Sequence, residues 1–213
     1  MEFEFIKDLD EYFCENYANY DKLCVLPGYK MPKMQATERR ENGRDYSYTL
    51  PANTMRLALQ EKKDELLKEL KSTMEDKSFS FSFLPVGFFA SLKRFSKNSY
   101  SKIFCRLLEK YSLTKEEAKK ELEIDEKTWQ RICSGVYYPT KNLVLSLALT
   151  GRFSYEDTLG LLGMYGEEFD YTLERDVVIS YLLKQKIFNR EMIKTAFEEY
   201  NVSNLFITWL QND

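Results

Sequence analysis

Histidine is absent from this chain of 213 residues. Its absence removes the one side chain that titrates unperturbed near neutrality, any Ser-His or Cys-His nucleophile pair, and the commonest zinc ligand. The four cysteines, Cys14, Cys24, Cys105 and Cys133, show no Cys-x-x-Cys spacing, so they read as buried reduced thiols rather than a disulfide framework or a metal cluster. No Gly-x-x-x-x-Gly-Lys phosphate loop occurs, and no internal repeat of 20–50 residues. The chain has no apolar run of the roughly 18 residues that would span a bilayer. Its acidic start, Met1 to Asp8, also lacks the basic-then-apolar order of a secretion signal. The acidic pairs Glu116-Glu117, Asp125-Glu126, Glu167-Glu168 and Glu198-Glu199 fall at helix starts or on exposed helix faces, a placement that does not build a carboxylate active centre. The expectation is a cytoplasmic, non-enzymatic protein with no catalytic residues, no cofactor, no metal and no membrane segment.

What is present is enough apolar material for a folded core, 44% hydrophobic with 15% aromatic. The net charge of −3 hides an uneven distribution. Residues 88–153 hold thirteen Lys/Arg against seven Asp/Glu, whereas residues 154–213 hold five against eleven and residues 1–24 two against seven. Acidic ends therefore flank a basic middle. Within that middle Lys93, Arg94, Lys97, Lys102, Arg106 and Lys110 face only Glu109 in opposition, with Phe95, Tyr100 and Phe104 interleaved. A cationic stripe of this kind suits phosphate neutralisation, a solvated helix face, or an acidic protein surface.

The patterning is mainly α. Phe5, Leu9, Tyr12, Phe13, Tyr17 and Tyr20 recur at helical spacing and predict an amphipathic helix whose aromatic face meets the core or a partner. From residue 26 to 53 that periodicity is lost to Pro27-Gly28, Pro32, a charged run and Pro51, which predicts a long loop carrying Lys30, Lys33, Arg39, Arg40 and Arg44. Leu57, Leu59, Leu66, Leu67 and Leu70 predict a surface helix within 54–76. Two segments of period two flank it, near 45–50 and 78–84, and could pair as a small two-stranded β element, the Phe79/Phe81/Phe83 ladder turned inward. Two regions are expected: 1–96, helical and irregular with the 26–53 loop, and a helical domain at 97–213.

The most specific stretch is 113–150. Thr114 with Glu117 forms a capping-box pattern and Ala118 and Leu122 give an inner face, so a short helix starts there. Asp125 is a second cap-type residue, followed by Thr128, Trp129 and Ile132, and Ser134-Gly135 closes that helix. After Pro139, Leu143, Leu145, Leu147, Ala148 and Leu149 form an apolar third helix. The spacing from Thr114 through Leu122, Ile124, Thr128, Ile132, Gly135 and Pro139 to Leu145 and Ala148 resembles, without a gap, the helix-turn-helix of the lambda-repressor-like (XRE-type) family, over about residues 100–165. Lys119 and Glu123 stand where that family has a small alanine and a turn glycine, and Asp125-Glu126 places carboxylates at the end that would approach phosphate.

The resemblance implies a bacterial or phage helix-turn-helix protein of regulatory or accessory role, binding nucleic acid, DNA before RNA, as a homodimer because one short helix reads few base pairs. By matched position it implies that Lys115 contacts phosphate, that Glu126, Lys127 and Gln130 face the groove, and that Arg131 follows them. The stripe residues Lys93, Arg94, Lys97, Lys102 and Arg106 would add backbone contacts. The alternative is an interaction subunit of a larger bacterial system, as in phage defence or stress response, whose helix-turn-helix no longer meets DNA. Downstream, helices are expected from Ser154, over 173–186, over 189–200 and over 203–210; this C-terminal part is also similar to helical regions of uncharacterised bacterial proteins, some fused to macro domains.

Overall fold

The computed structural model describes residues 2–17, 35–39, 45–49, 63–73, 84–86, 99–202, 205 and 207. The protein is mainly helical. In chain order the elements are α1 (Glu2–Asn16), β1 (Gln35–Arg39), β2 (Asp45–Thr49), α2 (Lys63–Thr73), β3 (Leu84–Pro85), α3 (Tyr100–Lys110) and α4 (Lys115–Glu121). There follow α5 (Glu126–Cys133), β4 (Tyr137–Tyr138), α6 (Lys141–Thr150), α7 (Tyr155–Gly163), α8 (Glu174–Lys184) and α9 (Arg190–Glu199). Among the described residues no helix is long and apolar enough to cross a membrane.

The contact pattern divides the chain into one unit of residues 1–17 with 76–213 and another of 18–75, which differs from a cut between 96 and 97. The reason lies in α1. Phe5, Leu9, Phe13 and Tyr17 form its buried face, and they pack on α8 and α9, with Phe13 against Tyr200 at 4.6 Å between ring centroids. Polar tips close the seam: Tyr12 Oη and Ser180 Oγ lie 3.0 Å apart, and Tyr200 Oη donates to Asp10 Oδ1 at 2.6 Å. The aromatic face of the first helix is therefore core of the large unit.

In the large unit α6 is the central helix, since every residue from Asn142 to Leu149 is buried. Thr140 caps it, its Oγ1 accepting the Leu143 amide at 3.3 Å. Helices α4, α7 and α8 pack around it. Among these buried residues a polar network forms: Asp176 Oδ1 accepts Arg175 Nε at 2.9 Å and Nη2 at 2.8 Å, and its Oδ2 accepts the Asp170 amide at 2.7 Å. Lys141 completes the set 2.5 Å from Oδ2, and Arg175 Nη1 donates to Asn142. A carboxylate with no solvent exposure is thus matched by two cations and a backbone donor.

Two expectations on extended structure are corrected. Residues 45–49 pair antiparallel with 35–39, inside the stretch expected as loop. Arg39 opposite Asp45 leaves residues 40–44 as the connection. Leu84-Pro85 pairs with Tyr137-Tyr138 instead, just after the end of α5. The expected helix at 203–210 is replaced at its described positions: Ile207 makes an antiparallel bridge to Leu122, with Leu205 and Ile207 buried. An extended segment is favoured there because Leu122, leaving α4 in the β conformation, offers it a backbone partner.

Candidate nucleic-acid interface

Helices α4, α5 and α6 begin where local hydrogen bonds set them. Thr114 Oγ1 accepts the Glu117 amide at 3.2 Å while Glu117 Oε2 accepts the Thr114 amide at 3.0 Å, the reciprocal capping box. Asp125 Oδ1 accepts the Thr128 amide at 2.9 Å and starts α5. That helix ends at Gly135, whose φ of 79° lies in the left-handed region, and the Val136 amide returns to the Arg131 carbonyl at 2.8 Å. Ala118, Leu122, Ile124, Trp129 and Ile132 face inward, with the Trp129 ring 5.9 Å from Phe104 of α3 in an edge-on contact.

With Trp129 and Ile132 buried, α5 presents Lys127, Gln130 and Ser134 outward, all exposed and spaced by three and four residues. Glu126 at the head of the helix is tied down. Its two carboxylate oxygens ion-pair with Lys115 and Lys119, and it accepts Gln130 Nε2 at 2.8 Å. These contacts, Lys115 first, hold the Glu126 carboxyl down to about 2 and raise the Lys115 ammonium. The carboxylate that would repel phosphate is thereby matched by two lysines, and those lysines are engaged with it. Arg131 is positioned by Tyr137: Nη1 donates to the Tyr137 hydroxyl at 2.6 Å and the guanidinium lies 5.1 Å from the ring centroid.

Of the sequence-derived stripe, Lys102 and Arg106 are exposed one turn apart on α3, opposite the buried Phe104, Leu107 and Leu108. Arg106 Nε donates to the Lys102 carbonyl at 3.3 Å. Lys110, at the end of α3, is instead paired with Asp157 at 2.5 Å. Lys93, Arg94 and Lys97 lie outside the described residues, as do Lys30, Lys33, Arg40, Arg44 and the Phe79/Phe81/Phe83 ladder. Sequence reasoning missed the roles of Lys119 and Tyr137. The first had a signal, a cation in a position suited to a small residue and seven positions before Glu126; the second had none, because Tyr137 reaches Arg131 only through the turn after α5. Among the described residues no group of three or more His, Cys, Asp or Glu is placed to hold a metal ion. Comparison with family models, with curated proteins and with solved structures gave no match.

Three carboxyls at the helix starts are held below their ordinary values: Glu126 by its lysines, Asp125 by the Thr128 hydroxyl and amide, and Glu117 by the Thr114 amide and hydroxyl. A depressed folded-state value means that the ionised carboxylate stabilises the fold, fully above the unfolded value and progressively less as pH falls toward the folded one. For Glu126 that window runs from the ordinary 4.5 down to about 2. The thermal midpoint followed by circular dichroism is expected to fall as pH is lowered through this window. In Glu126→Gln the fall is expected to be shallower; an identical pH profile would show that the Glu126 pairs contribute nothing to stability.

Proposed function

We propose that the protein is a non-enzymatic helix-turn-helix protein that binds nucleic acid, duplex DNA in preference to RNA, in a regulatory or accessory role in a bacterial or phage setting. The observation that supports this reading is the exposed Lys127-Gln130-Ser134 stripe of α5, whose adjoining Glu126 is already neutralised by Lys115 and Lys119. In this reading α5 enters the major groove, Gln130 offers its amide to a base edge, and Lys127 serves base or phosphate. Arg131, oriented by Tyr137, and Lys102 and Arg106 of α3 contact phosphates and fix register. A homodimer would supply the second half-site that one short helix needs.

A second reading has its own support. Lys115 and Lys119 are satisfied by Glu126 without any phosphate, and Val136, 40% exposed beside the end of α5, is an apolar contact of the kind a partner protein covers. In that case the domain is a docking piece of a larger assembly.

Fluorescence anisotropy on random-sequence duplex DNA separates the two. Binding at low salt is expected, weakening with salt by a log–log slope of about 0.9 per neutralised phosphate. The Lys102→Glu/Arg106→Glu variant is expected to bind at least tenfold more weakly, about one decade for each lost phosphate contact near 0.1 M salt. Absence of low-salt binding by the wild type would overturn the nucleic-acid reading. Copurification of one stoichiometric protein would then favour the second.

A further inference from the structure

Cys105 lies midway along α3 and Cys133 is the last residue of α5, two helices in direct packing contact. Although far apart in sequence, their thiols share a hydrogen bond. Both are half-buried and neither is in a disulfide. Both also line an open groove of about 410 Å³ whose walls include Thr114, Lys115 and Trp129. Two thiols brought together by packed helices, on one groove open to a small solute, are placed for thiol–disulfide chemistry.

We propose that Cys105 and Cys133 are a redox-active dithiol that closes to a disulfide when a peroxide-class oxidant enters this groove. Cys105 is the attacking thiolate. Its sulfur takes one oxygen of hydrogen peroxide, the O–O bond breaks, the other oxygen leaves as water after protonation, and Cys105 becomes a sulfenic acid. The Cys133 sulfur then attacks the Cys105 sulfur, the S–O bond breaks, and a second water departs with the Cys133 proton. Two thiols and one peroxide thus give one disulfide and two waters, with two electrons passing from sulfur to peroxide.

The division of roles follows from the asymmetry of the pair. The hydrogen bond from Cys133 holds the Cys105 thiol down to about 7, against burial and Glu109, which act the other way. The same contact, with burial, pushes Cys133 up, opposed by Lys115 of α4. The lowered value raises the thiolate fraction of Cys105 near neutrality above that of an ordinary thiol, which favours it as the attacking sulfur. The bond would fasten the last turn of α5 to α3. It stands on the thiols alone and does not depend on what α5 binds.

The test uses the full chain, reduced, then exposed to hydrogen peroxide at pH 7, quenched by alkylation and mapped as non-reduced peptides by mass spectrometry. A Cys105–Cys133 linked peptide reversible by dithiothreitol is expected, with Cys14 and Cys24 still alkylated. Cys133→Ser is expected to stop at a sulfenic acid on Cys105, trapped by a 1,3-dione, and Cys105→Ser to lose that reactivity. Circular dichroism establishes that the variants fold; if either does not, the wild-type map alone decides. Sulfinic acid accumulating at Cys105 while Cys133 stays alkylated would overturn the proposal, as would oxidation of Cys105 no faster than that of Cys14.

Discussion

Replacing Asp176 by alanine is expected to lower stability by roughly 3–5 kcal/mol, the cost of leaving buried cations without their counter-charge. Asp176 has no solvent exposure and joins Arg175, Lys141 and the Asp170 amide. Arg175 is itself buried, at 5% exposure, so it cannot turn to water when its partner is lost. Lys141 is better placed to relax, with 15% of its side chain exposed. The net worth of such a cluster against an apolar replacement is small, but breaking one member is costly because the remaining charges keep their desolvation penalty. For a chain of this size the loss corresponds to a fall of about 10 °C or more in thermal midpoint, measurable by calorimetry or near-ultraviolet circular dichroism. Asp176→Asn, which keeps the shape and removes the charge, is expected to retain most of that defect. A shift below about 2 °C in both variants would mean that the cluster is replaceable and that α6 and α8 are held by apolar contact alone.

Glu126→Gln is expected to strengthen binding to duplex DNA by about eight- to tenfold at 0.1 M salt for each lysine freed to reach a phosphate, because each neutralised phosphate contributes about 0.9 of a decade there. In the wild type, Lys115 and Lys119 both close on the Glu126 carboxylate, so their charge is directed inward. The amide takes the Glu126 charge from both lysines and removes one negative charge from the head of α5. The Asp125 cap and the Thr114–Glu117 box are untouched, so the helices keep their starts. The measurement is a pair of salt titrations by anisotropy, and the slope is expected to steepen together with the affinity. Unchanged affinity and slope in a protein that does bind DNA would place Lys115 and Lys119 away from the backbone and move the interface toward Lys102 and Arg106. If the wild type and Glu126→Gln both fail to bind at low salt, the nucleic-acid reading is overturned.

The helices α4 to α7 were the most legible part of the chain because their boundaries are set by short-range hydrogen bonds. Thr114, Asp125, Thr140 and Ser154 each cap a helix within three residues of their own position, and Gly135 supplies a left-handed turn that side chains resist. The buried face of α1 was equally visible in its period, but whether that face met the core or a partner depended on helices some 170 residues later. The pairing of 35–39 with 45–49 was misread although Asn42-Gly43, a strong hairpin dipeptide, lies between them. Neighbouring prolines and charges obscure that dipeptide in the sequence.

The candidate interface was half legible. The resemblance placed Glu126, Lys127 and Gln130 on the outer face of α5 and Asp125-Glu126 as its electrostatic obstacle, but it could not show that Lys119 and Lys115 close on the Glu126 carboxylate, because a contact between side chains on different helices requires the angle between them. For the same reason Cys105 and Cys133 read as unrelated thiols until α3 and α5 were packed together. Sequence alone determined where helices start and stop and which faces are apolar, since those depend on hydrogen bonds and periodicities a few residues long. The tertiary structure alone decided which charges cancel, which thiols touch and which residues are left to solvent, because these depend on distances between segments that no local rule specifies.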